Sequence, residues 1–219
     1  MIARYRLGLA FWGGASLVWI YTFAALLPKV EFAFPLTLIA IFLADLGSYI
    51  FHYLIDHYGR PVPGGLVHEF QRHHLIPYGI AEKSVAEVLY PAARIAAPLL
   101  LLLYWPLISG LIPPAVGLFV FVLFSCWVLA QLFHRWTHKR PPAIVRLAQK
   151  LHLLVSPREH DVHHRQPFDS RFAVITGWSN FPLDFLHAPA MLDALMRLLG
   201  KEKRGLVRSL EEISASGAR

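Results

Sequence analysis

Charged residues are scarce in this 219-residue chain. Asp, Glu, Lys and Arg make up 16% of the residues and hydrophobic residues make up 56%, whereas roughly 25% of a soluble domain is charged. From Ile95 to Phe133 the sequence contains no charged residue and no histidine. This scarcity argues against a soluble protein and indicates segments that lie in a lipid bilayer.

Cysteine is almost absent as well. Cys126 is the only one in the chain, which excludes a disulfide within the chain, an iron-sulfur cluster and a zinc site built from thiolates. Any metal ion bound here would therefore be held by nitrogen and oxygen atoms.

The apolar runs predict four membrane spans, because a helix needs about 20 apolar residues to cross a bilayer. We place them at about residues 7–27, 32–53, 95–111 and 114–133, and the last two are separated by "SGLIPP", in which Gly and Pro break the helix. A cleaved signal peptide is the alternative for the first span. Its apolar run is longer than the roughly 7 to 15 residues of such a peptide, and no small-residue cleavage site follows.

The basic residues predict the orientation. With four spans, Lys29 alone falls on one side and every other Lys and Arg falls on the opposite side, and the excess of basic residues marks the cytoplasm. Both termini and the histidine-bearing regions should then be cytoplasmic. The formal charge of +7 follows from this bias and from attraction to anionic lipid, so that no nucleic acid partner is implied.

The fold predicted is an all-α, multi-pass integral membrane protein with one domain over residues 1–219. Its four transmembrane helices would carry a helical cytosolic cap formed by residues 54–94 and 134–219. We find no internal repeat or low-complexity segment in the sequence.

Histidine is abundant, since the chain has twelve and ten of them fall in four groups. All four groups map to the predicted cytoplasmic side, beside the second and fourth spans. The groups are "HYLIDH" (His52, His57), "HEFQRHH" (His68, His73, His74), "HRWTH" (His134, His138) and "REHDVHH" (His160, His163, His164).

The spacing of these histidines indicates two metal ions. His134 and His138 are four residues apart and share one helical face, whereas His73 and His74 point about 100° apart and can serve neighbouring ions. Imidazole binds iron, zinc, copper or nickel. Each group taken alone is also typical of histidines at a membrane interface, so the prediction depends on the four groups together.

Two aspartates accompany the second span. Asp45 and Asp56 share a helical face with His52, and we expect each to accept the N–H of a metal-bound imidazole from outside the ligand set. For Asp45, a buried hydrogen bond to a neighbouring span is the alternative, because a charge inside a span needs a partner.

Five stretches of the chain resemble the lipid desaturase family typified by plasmanylethanolamine desaturase, within the histidine-box desaturase and hydroxylase superfamily. The resemblance covers roughly residues 45–186. The most specific stretch is the last, whose pattern is Gly-Trp-x-Asn-x-Pro-Leu-acidic. The stretches are "FHYLIDHYG", "RHHLIP", "QLFHRWTHK", "SPREHDVHH" and "ITGWSNFPLD".

The resemblance implies an O2-dependent diiron enzyme that desaturates an acyl or alkyl chain of a membrane lipid. Two Fe ions are the implied cofactor, and Zn is the alternative occupant of these sites in a purified sample. The implied metal ligands are His52, His73, His74, His134, His138, His160, His163 and His164. Iron chemistry of this kind needs electrons from outside, and the chain has no flavin, haem or ferredoxin motif. A separate donor is therefore expected, such as a ferredoxin, a cytochrome b5-like protein or a flavoprotein reductase.

Two alternatives stay open at this point. His57 and His68 are additions that resemble fatty acid and sterol hydroxylases, so a lipid C–H hydroxylase with the same diiron site is the second candidate. We include both histidines among the metal ligands. A metal transporter is disfavoured, because the third and fourth spans carry no charge along a path.

Three residues of the last stretch are candidates to line the substrate cleft: Trp178, Asn180 and Phe181. Aromatic residues at a membrane interface also serve as anchors, which is the alternative for Trp178 and Phe181.

Overall fold

A computed structural model describes residues 2–206 of the chain. Within that range every regular element is helical, with ten α-helices, one short 3-10 helix at Leu27–Lys29 and no strand. The α-helices are α1 (Ile2–Leu26), α2 (Ala33–Tyr58), α3 (Leu66–Leu75), α4 (Gly79–Glu82), α5 (Val85–Ile108), α6 (Pro114–His138), α7 (Ala143–Lys150), α8 (Pro157–His163), α9 (Asn180–Phe185) and α10 (Ala188–Leu198). The all-α prediction is therefore confirmed for the described residues.

Four of the helical segments are long and apolar enough to cross a membrane. They are Ala3–Lys29, Ala33–Tyr58, Val85–Ile108 and Pro114–His138. The number of such helices equals the predicted four, but the third helix begins at Val85 rather than at Ile95. Ser84 explains the earlier start, because its side chain accepts from the backbone of Glu87 while Glu87 bonds back to the Ser84 backbone, which caps the helix end. Residues 85–94 of this helix include the charged Glu87 and Arg94, so the charge-free run in the sequence begins only at Ile95.

The described residues divide into two compact units, neither of which is one continuous segment of chain. Residues 2–44 and 83–132 form the first unit, and residues 45–82 and 133–206 form the second. The expectation of a single domain, like that of a cytosolic cap, stays a prediction.

The first unit packs around aromatic side chains. Trp19 is 1% exposed, donates its indole N–H to the backbone carbonyl of Leu100 at 2.9 Å and stacks on Phe121. The indole N–H of a buried Trp needs such a partner. Helices α1 and α5 also approach closely at Gly8, where a side-chain Cβ would lie 2.6 Å from the ring of Tyr90.

The second unit has a smaller aromatic core and carries all the grouped histidines. Phe172 is fully buried and meets the rings of Tyr49, Tyr53 and His163 at centroid distances of 5.3, 5.1 and 4.6 Å. The core of this unit thus extends directly to the histidine side chains.

Candidate metal centre

Segments of four helices bring the histidines together, and every one of these histidines lies in the second unit. Two of these helices end at the histidines, since His134 and His138 occupy the last turns of α6 and His160 and His163 lie in α8. Ser156 caps the start of α8 by accepting from the backbone amide of Glu159 at 3.2 Å, which fixes where this helix begins. His52 lies on α2, and His73 and His74 lie on α3.

The first cluster contains only imidazoles, and we name it the five-histidine group. Its ligand nitrogens all lie within 4.8 Å of one another; its members are His73, His134, His138, His160 and His164. Nε2 of His73 lies 2.9 Å from Nε2 of His134 and 3.0 Å from Nε2 of His164. Two nitrogens bound at right angles to one ion, each about 2.1 Å from it, lie roughly 3 Å apart. The spacing therefore fits a single metal ion.

Burial keeps the histidines of this group in the form that binds metal. It lowers the pKa of His73 and of His160 well below the usual histidine value, and neighbouring imidazoles lower both further. Burial and the same kind of neighbours lower the pKa of His164 to about 2. Neutral imidazoles offer a lone pair to a cation, so the site is prepared for a metal and not for an anion.

The second cluster contains one carboxylate, and we name it the Asp56 group. It consists of His52, Asp56, His74 and His163, again with ligand atoms within 4.8 Å of one another. Oδ2 of Asp56 lies 3.4 Å from Nε2 of His52, 3.0 Å from Nε2 of His74 and 3.6 Å from Nε2 of His163. The side chains of His52, Asp56 and His163 are at most 1% exposed.

Backbone carbonyls fix the tautomers of two imidazoles in the Asp56 group. Nδ1 of His52 donates to the carbonyl of Phe172 at 2.9 Å, and Nδ1 of His163 donates to the carbonyl of Ser170 at 3.2 Å. A carbonyl only accepts, so each Nδ1 carries the proton. Burial holds the pKa of His163 well below its usual value, which leaves its Nε2 as a bare lone pair.

These lone pairs face a carboxylate oxygen. Nε2 of His52 and of His163 have no hydrogen-bond partner among the described residues, and both face Oδ2 of Asp56, at 3.4 and 3.6 Å. Buried acceptors that face one another repel unless a cation lies among them. The second cluster therefore also fits a metal ion, bound by three nitrogens and one oxygen. Imidazole and carboxylate suit iron, zinc or manganese, and the donor set alone does not choose among them.

Asp45 holds the loop that supplies one of the two carbonyls. Its Oδ1 accepts from the backbone amides of Ile175, Thr176 and Gly177 at 3.2, 2.8 and 3.1 Å. Its Oδ2 accepts from the amide and the hydroxyl of Ser179 at 2.9 and 2.7 Å. These bonds satisfy a carboxylate that is 0% exposed, and they fix the segment that follows Phe172.

The "GWSNFPLD" stretch ties the same loop to α8. The amide oxygen of Asn180 accepts from the backbone amide of Ala173 at 2.9 Å, and its amide nitrogen donates to Glu159 at 3.4 Å. Gly177 has φ +80°, and a Cβ there would lie 2.5 Å from Oε2 of Glu159, so glycine is required both by conformation and by space.

Asp184 closes this network on the other side. It accepts from the hydroxyl of Tyr49 at 2.8 Å and pairs with Arg171 at 3.2 Å, while Arg171 also reaches Glu159 at 3.3 Å. The conspicuous sequence pattern is therefore a support for the loop that orients His52 and His163.

Eight of the ten histidines predicted as ligands lie in the two groups, and two do not. Nε2 of His57 donates to the carbonyl of Phe168 at 3.0 Å, and His68 lies beside Glu69, with Nδ1 3.4 Å from Oε1. His57 is five residues from His52, which turns its ring to a different side of α2. The structure thus separates these two histidines from the others.

The aspartates are placed differently from our expectation. Asp56 lies within the second group, where it can act as a ligand, instead of outside the ligand set. Asp45 has five donors that all belong to residues 175–179, and none of them is an imidazole. A carboxylate inside an apolar helix can satisfy its charge with amides as well as with a histidine.

The predicted cleft residues divide as well. Asn180 is 0% exposed, and its side-chain amide is hydrogen-bonded to Ala173 and Glu159. Phe181, in contrast, is 69% exposed. Trp178 donates its indole N–H to the carbonyl of His152 at 2.6 Å. Asn180 is therefore a buried supporting residue, and the lining of a lipid cleft by Trp178 and Phe181 stays a prediction.

Two features of the site were not predicted from the sequence: the carbonyl acceptors at Ser170 and Phe172, and the pair Glu159 and Arg171. Every residue has a backbone carbonyl, so the residue type does not show which carbonyl accepts from an imidazole. Glu159 carried a usable signal, since it lies three residues after Ser156 and beside the histidine run, at the start of a capped helix.

A sequence model of the family described as "Lipid desaturase domain" matches residues 41–204. This range contains every residue of the five-histidine group and of the Asp56 group. No solved structure matches the chain.

Three curated relatives illustrate the likeness. Fatty acid desaturase 4, chloroplastic, of Arabidopsis thaliana is 37% identical over 63% of this chain and 44% of its own length. Plasmanylethanolamine desaturase of Myxococcus xanthus is 28% identical over 80% of this chain and 63% of its own length. Plasmanylethanolamine desaturase 1 of Mus musculus is 26% identical over 73% of this chain and 63% of its own length. The matched region thus spans less than two thirds of each of these relatives.

Proposed function

Since the chain belongs to the lipid desaturase family, we propose that it is an integral membrane enzyme that introduces a double bond into an acyl or alkyl chain of a membrane lipid. The observation that carries the proposal is the pair of adjacent buried clusters, one with five imidazoles and one with three imidazoles and a carboxylate. The names of the curated relatives, which are desaturases of fatty acids or of plasmanylethanolamine, support the choice of reaction.

The five-histidine group would hold one iron ion and the Asp56 group the other. Bound iron would supply the activation of dioxygen that attack on an unactivated C–H bond requires, because no side chain can do this. The overall reaction balances when a –CH2–CH2– unit, O2, two electrons and two protons give a –CH=CH– unit and two waters. The two electrons come from a separate protein donor in this proposal.

The chain's own residues have two tasks in this mechanism. The loop carbonyls at Ser170 and Phe172 keep the Nδ1 protons of His163 and His52 in place, so that both Nε2 lone pairs are directed at the cation. The buried charge of Asp56 offsets part of the positive charge of the ion and keeps the site electrically balanced. Together they would orient the ligand atoms of the Asp56 group before any substrate arrives.

Membrane placement would deliver the substrate. Four helices are of bilayer-spanning length and apolarity, and His134 and His138 occupy the end of one of them. A lipid chain would then reach the metals without crossing water. The excess of basic residues on one side of the predicted spans supports cytoplasmic termini and a cytoplasmic metal site.

High-resolution mass spectrometry of host lipids tests this function. Cells that express the chain are compared, at matched protein levels, with His163→Ala, which removes a ligand of the Asp56 group. His187→Asn serves as the control, because His187 is exposed and outside both groups. We expect lipid species lighter by two hydrogens in the wild type and the control, and none in His163→Ala.

Other outcomes decide against desaturation. Lipids heavier by one oxygen, with the same dependence on His163, would identify a hydroxylase instead. Unchanged lipids in cells that also supply a reductase and an electron carrier would contradict lipid oxidation as the function of the site.

A further inference from the structure

A cavity of about 650 Å³ lies beside the five-histidine group, and we name it the basic cavity. His138 and His164 of that group form part of its wall. Nε2 of His138 is buried and has no hydrogen-bond partner among the described residues. The cavity therefore leads from the surface of the second unit directly to a candidate metal ligand.

Three cationic side chains line this cavity: Lys139, Arg140 and Arg158. All three are exposed, and no ion pair involving them occurs within residues 2–206. Lys139 makes one long contact, 3.5 Å from the carbonyl of Ala81. The acidic residue of the wall, Asp161, is already paired with Arg165. The positive charge of the cavity is thus left for a ligand.

The position of Lys139 and Arg140 along the chain indicates which anion they meet. They follow His138 directly, and His138 is the last residue of the apolar helix Pro114–His138. Residues just beyond a membrane span lie at the depth of the lipid head groups, where Lys and Arg contact phosphates. A concave wall of this kind suits a small ligand group better than a protein surface, which needs a broad contact area.

We propose that the basic cavity binds the phosphate of a glycerophospholipid whose hydrocarbon chain enters the metal site. This inference rests on the proposed function only where it names the lipid's hydrocarbon chain as the substrate. Binding of a phosphate in the basic cavity does not depend on that function. Arg140 and Arg158 can each form paired charge-assisted bonds to phosphate oxygens, and Lys139 adds a third charge. Free phosphate offers the same chemistry without the chains, so both sources are compared directly.

The test is calorimetric titration of the full chain, purified in detergent, with three probes. The probes are dihexanoyl phosphatidylglycerol, inorganic phosphate and dihexanoylglycerol, which lacks the phosphate. The variant replaces the three cations together by Lys139→Gln, Arg140→Gln and Arg158→Gln. The control, Arg60→Gln, Lys150→Gln and Lys201→Gln, removes the same charge from exposed residues of the same unit that do not line the cavity.

We expect the phospholipid to bind the wild type and the control alike, and the cavity variant to bind it at least about tenfold more weakly. Inorganic phosphate should compete but bind more weakly, and dihexanoylglycerol should not distinguish the cavity variant from the wild type. Metal content per protein chain is measured on every sample as a check on folding. A variant that keeps its metal but binds the phospholipid more weakly has lost the phosphate site and has not misfolded.

Equal phospholipid affinity in the cavity variant and the control would overturn the proposal. If that variant also loses turnover with an acidic protein carrier but keeps it with dithionite, the cations serve carrier docking instead. Binding that depends on the three cations in a protein without lipid oxidation would refute the proposed function and leave the phosphate site standing.

Discussion

The carboxylate of Asp45 accepts hydrogen bonds from both the backbone amide and the hydroxyl of Ser179, at 2.9 and 2.7 Å. Three further amides of residues 175–177 donate to the same carboxylate. One side chain on α2 thus holds a loop that is distant in sequence. The loop in turn follows the carbonyl that orients His52.

Asp45→Ala should therefore destabilise the protein and weaken metal binding together. The substitution leaves buried donors without an acceptor, and each costs about 1–3 kcal/mol, so we expect a loss of more than about 3 kcal/mol in the free energy of unfolding. Thermal unfolding in detergent and metal content per chain measure both effects. Glu202→Ala, at an exposed residue of the same unit, is the control. A Tm equal to that of the control would show that residues 175–179 keep their conformation without Asp45.

His163→Ala and His57→Gln should differ in metal content. His163 belongs to the Asp56 group, whereas His57 bonds to the carbonyl of Phe168 and lies outside both groups. We expect His163→Ala to lose about one ion per chain and His57→Gln to keep the wild-type content, because ligation needs a converging lone pair. Plasma mass spectrometry of the purified proteins decides this. Loss of metal from His57→Gln would return His57 to the ligand set.

Gly177→Ala should cost more stability than Gly64→Ala. Both glycines have positive φ, at +80° and +72°, but an added Cβ meets Glu159 at 2.5 Å only at position 177 and finds open space at position 64. The conformational strain, about 1 kcal/mol, is shared by both variants, and the steric term is extra. Urea or thermal unfolding of both variants measures the steric contribution as the difference between their losses in the free energy of unfolding. Equal losses would mean that Glu159 moves aside freely.

If the two groups bind metal as proposed, chelation should destabilise the protein. The buried lone pairs of the Asp56 group repel one another without a cation, and an ion that binds only the folded state stabilises it by mass action, by about 2.7 kcal/mol at a hundredfold excess over Kd. We therefore expect a lower Tm after chelation and recovery when Fe(II) is returned without oxygen. A Tm that chelation leaves unchanged would contradict a structural contribution from the metals.

Residue type and spacing were sufficient to predict the four helices that are long and apolar enough to cross a membrane and eight of the histidines that the structure brings together. Apolar runs of bilayer length and histidines four residues apart are patterns that physics ties to one structure, as at His134 and His138. The five-residue spacing places His57 and His52 on different sides of one helix, but spacing alone does not show that His57 bonds to the carbonyl of Phe168. The role of Asp45 was hidden for a similar reason.

Backbone groups account for most of what the sequence left open. The carbonyls of Ser170 and Phe172 orient two imidazoles, yet every residue has a carbonyl and neither name reveals its use. The basic cavity was equally hidden, since it is formed by three separate segments of chain that only folding brings together. Long-range placement of this kind needs the structure.

The number of metal ions bound per chain decides whether both histidine groups bind metal. The protein is loaded with Fe(II) without oxygen, freed of loosely bound metal and measured by plasma mass spectrometry beside His52→Ala/His163→Ala, which removes two ligands of the Asp56 group. We expect about two ions in the wild type and about one in the double variant, because the five-histidine group stays complete. A wild type that holds only about one ion, or a double variant that holds as many as the wild type, would contradict it.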